Sequence, residues 1–196
     1  RAVCQSDCSG IGYKSAKAVI NINGDISDSY HYHNTFSLNG NIPSVLSQLV
    51  DSIKKRRPIA LKRKKQWLEI CFKKKKEWQD FKESRYKVRP LEDPAFGKPL
   101  LTQPVAINAV AKFAKSIGAT KIFDAGDVQA NGFQIVEDDK PGETINEAGA
   151  SYMGFAVSAL VASGIAENPK YSIAFSGDGS FMMNPQVLID AVEHDA

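Results

Sequence analysis

Tyr171-Ser172-Ile173-Ala174-Phe175-Ser176-Gly177-Asp178-Gly179-Ser180-Phe181-Met182 decides how this chain is read. The first half is a short apolar run, the pattern of a buried strand in a parallel sheet. The second half, Gly-Asp-Gly-Ser, is a tight turn at the C-terminal end of that strand, where open α/β sheets bind ligands. Two glycines let a backbone approach a ligand closely and take positive φ. The carboxylate between them is a hard oxygen ligand suited to Mg²⁺ or Ca²⁺. Helix-like sequence follows, and its N-terminus would aim N–H groups at an anion. The stretch reads as a site for a metal-bridged diphosphate. Many ordinary turns also carry Gly-Asp-Gly, so the flanking sequence must raise or lower that reading.

Working upstream, residues 151–166 (SYMGFAVSALVASGIA) predict a helix of small residues able to pack closely on a sheet or a partner subunit, stopped by Asn168-Pro169. Residues 127–143 are polar and read as a loop. Asp127, Gln129, Asn131 and Gly132 fall at calcium-loop positions, but the sixth ligand position would hold Asp138 instead of Glu, and a strand leads in. Lys121-Ile122-Phe123-Asp124-Ala125-Gly126 is a strand ending in a turn. Before it, Thr102-Gln103-Pro104-Val105 opens a helix with Val105, Ala106, Ala109, Val110, Phe113 and Ala114 on its apolar face, halted at Gly118. A last helix is predicted around residues 187–192. The order α-β-loop-α-β-α implies an α/β fold, a parallel sheet flanked by helices with right-handed crossovers.

Further upstream the organisation changes. Pro90, Pro94, Pro99 and Pro104, with Gly97, mark an extended stretch and a domain boundary. In residues 54–90, Trp67, Ile70, Cys71, Trp78 and Phe81 recur with spacing that suits an amphipathic helix with a lysine-rich outer face. Residues 54–76 hold twelve Lys or Arg against one acid, Glu69, and the rest of the chain then has 13 basic and 21 acidic residues, so the overall +3 hides a local basic block. Lysines between aromatics raise a second reading, a non-catalytic module holding nucleic acid or anionic surfaces. The block lacks a recognised nucleic-acid motif, and a solvated helix whose lysine stems cover apolar surface is the preferred account. Lys17-Ala18-Val19-Ile20-Asn21-Ile22-Asn23 and Phe36-Ser37-Leu38 are short strands, and a helix with Pro43 in its first turn carries Val45, Leu46, Leu49, Val50 and Ile53 on one face. His31 and His33 would share a face on a strand and hold a metal, but in the intervening loop they read as solvated.

The bulk numbers agree with a globular protein. At 196 residues, 43% hydrophobic and 24% charged, the chain allows one to two domains. Its apolar runs fall short of the roughly 18 residues of a membrane span, and a signal-peptide pattern is missing from the start. Cys4, Cys8 and Cys71 lack the partners of a zinc site and read as plain thiols in a reducing, cytoplasmic setting.

Three pieces then stand together: Phe123-Asp124-Ala125-Gly126-Asp127-Val128-Gln129, Ala148-Gly149-Ala150-Ser151-Tyr152-Met153-Gly154-Phe155 and Phe175-Ser176-Gly177-Asp178-Gly179-Ser180-Phe181-Met182-Met183. In this order they resemble the cofactor-binding domain of thiamine-diphosphate enzymes of the acetolactate synthase and pyruvate decarboxylase type. Lys170-Tyr171-Ser172-Ile173 leading into Gly-Asp-Gly-Ser-Phe-Met-Met looks closest to the trihydroxycyclohexanedione hydrolases of inositol breakdown, with acetolactate-synthase-like carboligases close behind. Residues 17–53 resemble the end of that family's central Rossmann-like domain.

The resemblance implies three regions: 1–53, the C-terminal part of the Rossmann-like domain; 54–101, a basic helical linker; and 102–196, an incomplete thiamine-diphosphate-binding domain. It implies thiamine diphosphate and Mg²⁺ as cofactors. Asp178 matches the metal ligand, and the backbone of Gly179 and Ser180, next to Gly177, matches the diphosphate contacts. Gly126, Asp127 and Gln129 match the loop lining the diphosphate, with Val128 where members often carry His. The Ser151 carbonyl matches the acceptor for the pyrimidine amino group, and Met153 the apolar residue that enforces the bent cofactor. A small-molecule carbonyl substrate, and a homodimer or homotetramer sharing the site between chains, are further expectations. The family's second metal ligand, an Asn about 27 residues past the Asp, and its activating Glu, in an N-terminal domain, find no match here. The chain is therefore expected to be a fragment, inactive alone, with no catalytic residue assigned.

Overall fold

The computed structural model describes residues 15–29, 34–55, 61–147 and 151–196, with the backbone alone for 61–63. Cys4, Cys8, His31, His33 and the segment Ala148-Gly149-Ala150 lie outside the described residues. Two compact units form, Arg1–Phe72 and Lys73–Ala196.

In the first unit, β1 (Val19–Asn23) pairs in parallel with β2 (Thr35–Asn39), from Val19 opposite Thr35 to Asn23 opposite Asn39. Side chains latch the connection between them. Asp25 caps a 3-10 turn at Ile26–Asp28 by accepting from the Ser27 N–H, and the buried Ser29 hydroxyl donates to the Asp25 carbonyl at 2.9 Å. Helix α1 (Ile42–Lys55) has Pro43 in its first turn, as its sequence requires. Helix α2 (Leu61–Tyr86) is the predicted helix of the basic segment, with Trp67, Ile70 and Cys71 exposed.

The second unit opens with an antiparallel hairpin, β3 (Leu91–Asp93) and β4 (Lys98–Leu100), where the proline spacing predicted only extended chain. The Asp93 carboxylate accepts from the N–H groups of Ala95 and Phe96 and so closes the turn locally. Helix α3 (Gln103–Ser116) follows and ends before Gly118, which has φ +70°. The sheet consists of β5 (Thr120–Phe123), β6 (Thr144–Asn146) and β7 (Ser172–Phe175), all parallel, in the order β6-β5-β7. The α/β class read from the sequence is what forms. Central β5 is buried along its whole length, with Ile122 and Phe123 in the core and the polar Thr120 and Lys121 buried at its start. Phe123 and Phe175 stack at 4.4 Å in a core completed by Ile107, Val128 and Ile135.

Two expectations are corrected here. Residues 127–143 are a loop only in their second half: α4 (Asp127–Ile135) occupies the first nine, and 136–143 run irregularly to β6. The α4 sequence DVQANGFQI has poor helix formers, and tertiary burial of Val128, Gly132 and Ile135 at i, i+4 and i+7 overrides propensity. That helix also removes the calcium-loop geometry. Strand β6, only three residues long, is too short to show a period. The second correction is the small-residue helix, which starts late: α5 runs Phe155–Ile165, preceded by a turn with Ser151 at φ +62° and Gly154 at φ +90°. The chain closes with α6 (Asp178–Met183) and α7 (Val187–Glu193). Among the described residues no helix is long and apolar enough to cross a membrane.

At the end of the sheet away from the candidate site, two lysines are almost fully buried. Lys82 on α2 and Lys121 on β5, each 2% exposed, reach Glu137 and Asp138 on the strip after α4. A cavity of about 250 Å³ lies beside them. Removing Glu137 leaves the Lys82 ammonium buried without its carboxylate. Glu137→Ala is expected to cost about 1–3 kcal/mol in a denaturant melt. Lys115–Asp139, at 2.6 Å, is the comparison pair. The hydrogen bond from Lys115 holds the Asp139 carboxyl below its ordinary range, but both groups face solvent. Asp139→Ala should leave the melt almost unmoved. Equal effects from the two substitutions would refute the distinction.

Candidate functional site

The strand order sets where a ligand can bind. From central β5 the chain crosses through α4 to β6 on one side, then through α5 to β7 on the other. The loops leaving β5 and β7 therefore diverge, and the crevice between them at the C-terminal edge is the switch point of an open α/β sheet. The segments singled out in the sequence leave the sheet at this edge.

After β5, Gly126 adopts φ +89° and ψ −151°, a conformation that only glycine takes without strain. Asp127 is the first residue of α4, with its carboxylate exposed near the N–H groups of the first turn. Gln129 lies one turn in, half-buried, and its side-chain amide donates to the Glu147 carbonyl. This ties α4 to the segment leaving β6. The buried Glu147 carboxylate accepts from the N–H groups of Ser151 and Tyr152, supporting the left-handed backbone at Ser151.

Met153 follows, half exposed, and its methyl group lies 3.3 Å from where a Cβ on Gly179 would sit. Gly154 packs equally closely on α6, with the Ser180 carbonyl 3.4 Å from its own would-be Cβ. The turn at 151–154 thus touches the first turn of α6.

After β7, Gly177 caps α6 at φ −76°, and Gly179 lies inside that helix without positive φ. Of the two reasons expected for these glycines, positive φ is corrected. Their service is space: Gly179 admits Met153, and a Cβ on Gly177 would meet nothing within 4 Å. Asp178 opens α6 with an exposed carboxylate, and Ser180 is buried in the same turn. The first N–H groups of the helix have no intrahelical acceptor.

Asp124, directly after β5, received no role from the sequence. It is fully buried, and four donors converge on its carboxylate, from Ala125, Gly154, Ala156 and the Ser176 hydroxyl. Nothing in the one-dimensional pattern separates it from Asp127 three residues on, since only the fold shows which carboxylate turns inward.

Chemically, the edge offers exposed carboxylates at Asp127 and Asp178, free N–H groups at the start of α6 and an apolar side chain over them. Among the described residues no group of three or more His, Cys, Asp or Glu is placed to hold a metal ion. The arrangement suits a cation that brings oxygen ligands of its own, as Mg²⁺ on a diphosphate does. No curated protein significantly matches the chain. Residues 124–196, which carry every one of these segments, match the family described as thiamine pyrophosphate enzyme, C-terminal TPP binding domain, and this supports a thiamine-diphosphate-dependent enzyme family for the chain.

Proposed function

We propose that residues 124–196 hold the diphosphate and Mg²⁺ of thiamine diphosphate in an enzyme that cleaves, ligates or hydrolyses a C–C bond next to a carbonyl. The carrying observation is the contact of Met153 and Gly154 with the first turn of α6, beside the end of β5 from which Gly126 and Asp127 depart. The residues present fit the cofactor: open space at Gly177, a Gly179 whose bare Cα lets the Met153 methyl lie close against it, and one hard carboxylate at the head of α6.

In this reading Asp178 would hold Mg²⁺, with the N–H groups of Gly179 and Ser180 facing the diphosphate. Gly126, Asp127 and Gln129 would line its other side. Met153 would support the bent cofactor from below, and the Ser151 carbonyl would accept the pyrimidine amino hydrogen. Bound thiamine diphosphate supplies the nucleophilic carbon. The chain's own residues orient it and keep the cation against the phosphates. The reaction is of the acetolactate-synthase or trihydroxycyclohexanedione-hydrolase type, on a small carbonyl substrate, in a cytoplasmic homodimer or homotetramer.

Isothermal titration of the chain with thiamine diphosphate tests this. Saturable binding is expected in Mg²⁺, weakened about tenfold or more when EDTA removes the metal, since two anionic phosphates then face Asp178 unscreened. Absence of binding in Mg²⁺, or the same affinity in EDTA, would sink the proposal.

A further inference from the structure

The Asp124 carboxylate lies in the fully buried position at the end of β5, and both of its oxygens are used. One accepts from the Ala125 N–H at 2.9 Å and the Gly154 N–H at 3.0 Å. The other accepts from the Ala156 N–H at 3.2 Å and the Ser176 hydroxyl at 2.9 Å. These donors belong to three different segments. Ala125 starts the turn to Gly126 and Asp127. Gly154 and Ala156 follow Met153 and begin α5. Ser176 stands two residues before Asp178. Main-chain donors and the positive end of α5 compensate the buried charge.

We propose that Asp124 is the positioning residue of the cofactor site: it fixes the Met153 turn and the Asp178 turn against the end of β5 without touching the cofactor itself. The inference rests on the function proposed above. A carboxylate is required because all four neighbours donate. Asparagine has the same shape but carries an NH₂ in place of one acceptor oxygen. It would face a donor on at least one side, and the three segments would lose their common anchor.

The test compares Asp124→Asn, Ser176→Ala and a stability control, Ile107→Val in the core, with the parent chain. Each is titrated with thiamine diphosphate and Mg²⁺ at a temperature where circular dichroism shows it folded. Asp124→Asn is expected to weaken binding about 10- to 100-fold, the range typical of residues that orient ligand groups from behind. At saturation it should also alter the near-ultraviolet dichroism of the bound cofactor. Ser176→Ala, which removes one of four donors, should weaken binding about 3- to 10-fold. Ile107→Val should lower the melting temperature while changing affinity by less than about twofold.

A purely structural role for Asp124 would lower the melting temperature and leave the affinity of the folded protein and the dichroism unchanged. Folded Asp124→Asn binding within about twofold of the parent overturns the inference alone. If Asp124→Asn does not fold, unchanged affinity in Ser176→Ala overturns it, and the expected weakening supports it. A parent chain that binds no thiamine diphosphate overturns the functional proposal and this inference with it.

Discussion

Asp178→Ala is expected to weaken Mg²⁺-dependent binding of thiamine diphosphate about 100-fold or more, which is about 2.7 kcal/mol. Asp178 is the carboxylate at the head of α6, and its exposure leaves it free to face a ligand. Asp127, across the crevice at the head of α4, is the nearest comparable group by position in the fold. Asp127→Ala should cost much less, because in this reading it lines the diphosphate without holding the metal.

Three measurements separate the cause of such a loss. Titration in EDTA should remove the disadvantage of Asp178→Ala, which then binds at least as well as the parent, because without Mg²⁺ the carboxylate only repels the phosphates. Asp178→Asn, which keeps the size and one oxygen, should fall between the parent and Asp178→Ala. Melting without ligand should change by about 1 kcal/mol at most, the value of an acidic residue in the first turn of a helix. If Asp178→Ala keeps its Mg²⁺ dependence, the metal is held elsewhere and the assignment of Asp178 is wrong.

The difference between what the sequence discloses and what it hides at this site has a physical basis. Strand β7 and the Gly-Asp-Gly turn are legible because an apolar run and two glycines leave a local signature. The α3 helix is legible for the same reason, with a proline at one end and Gly118 at the other. Helix α4 is not, because Asp127, Asn131 and Gly132 prefer turns in isolation and become helical only by packing on β5 and α3. Residues 151–154 look helical because they continue the small-residue pattern of α5. What stops the helix there is a local and a long-range contact together: Glu147, four and five residues back, takes the N–H groups of Ser151 and Tyr152, and Asp124, 30 residues back, takes that of Gly154. The residues proposed to touch a ligand are thus marked locally, while Asp124, which ties their segments together, is defined by contacts 30 and 52 positions away in sequence.

Gly132→Ala should show the same long-range control with the sign of the effect reversed. In an exposed helix this change stabilises by roughly 0.5–1 kcal/mol, because alanine restricts the unfolded chain and glycine does not. Here a Cβ on Gly132 would lie 2.5, 2.7 and 3.0 Å from Cε1, Cδ1 and Cζ of Phe123. The ring has nowhere to retreat: Phe123 is 0% exposed and stacks on Phe175 at 4.4 Å with 11° between the ring planes. Either α4 must move outward or the two rings must shift, and overpacking of this kind costs about 1–3 kcal/mol. The clash exceeds the propensity gain, so a net loss of roughly 2 kcal/mol is expected, measured by denaturant unfolding. A double-mutant cycle with Phe123→Leu identifies the cause. The smaller side chain gives the new methyl group room, so Gly132→Ala should cost far less in that background, with a coupling of about 1–2 kcal/mol. Additive effects would show that Phe123 is not what excludes a side chain at 132, and a Gly132→Ala protein more stable than the parent would refute the packing of α4 on β5 altogether. Because Asp124 directly follows Phe123, a displaced ring should also disturb the end of β5. The same variant should then bind thiamine diphosphate more weakly even where it is fully folded, linking a core contact to the site at the edge of the sheet.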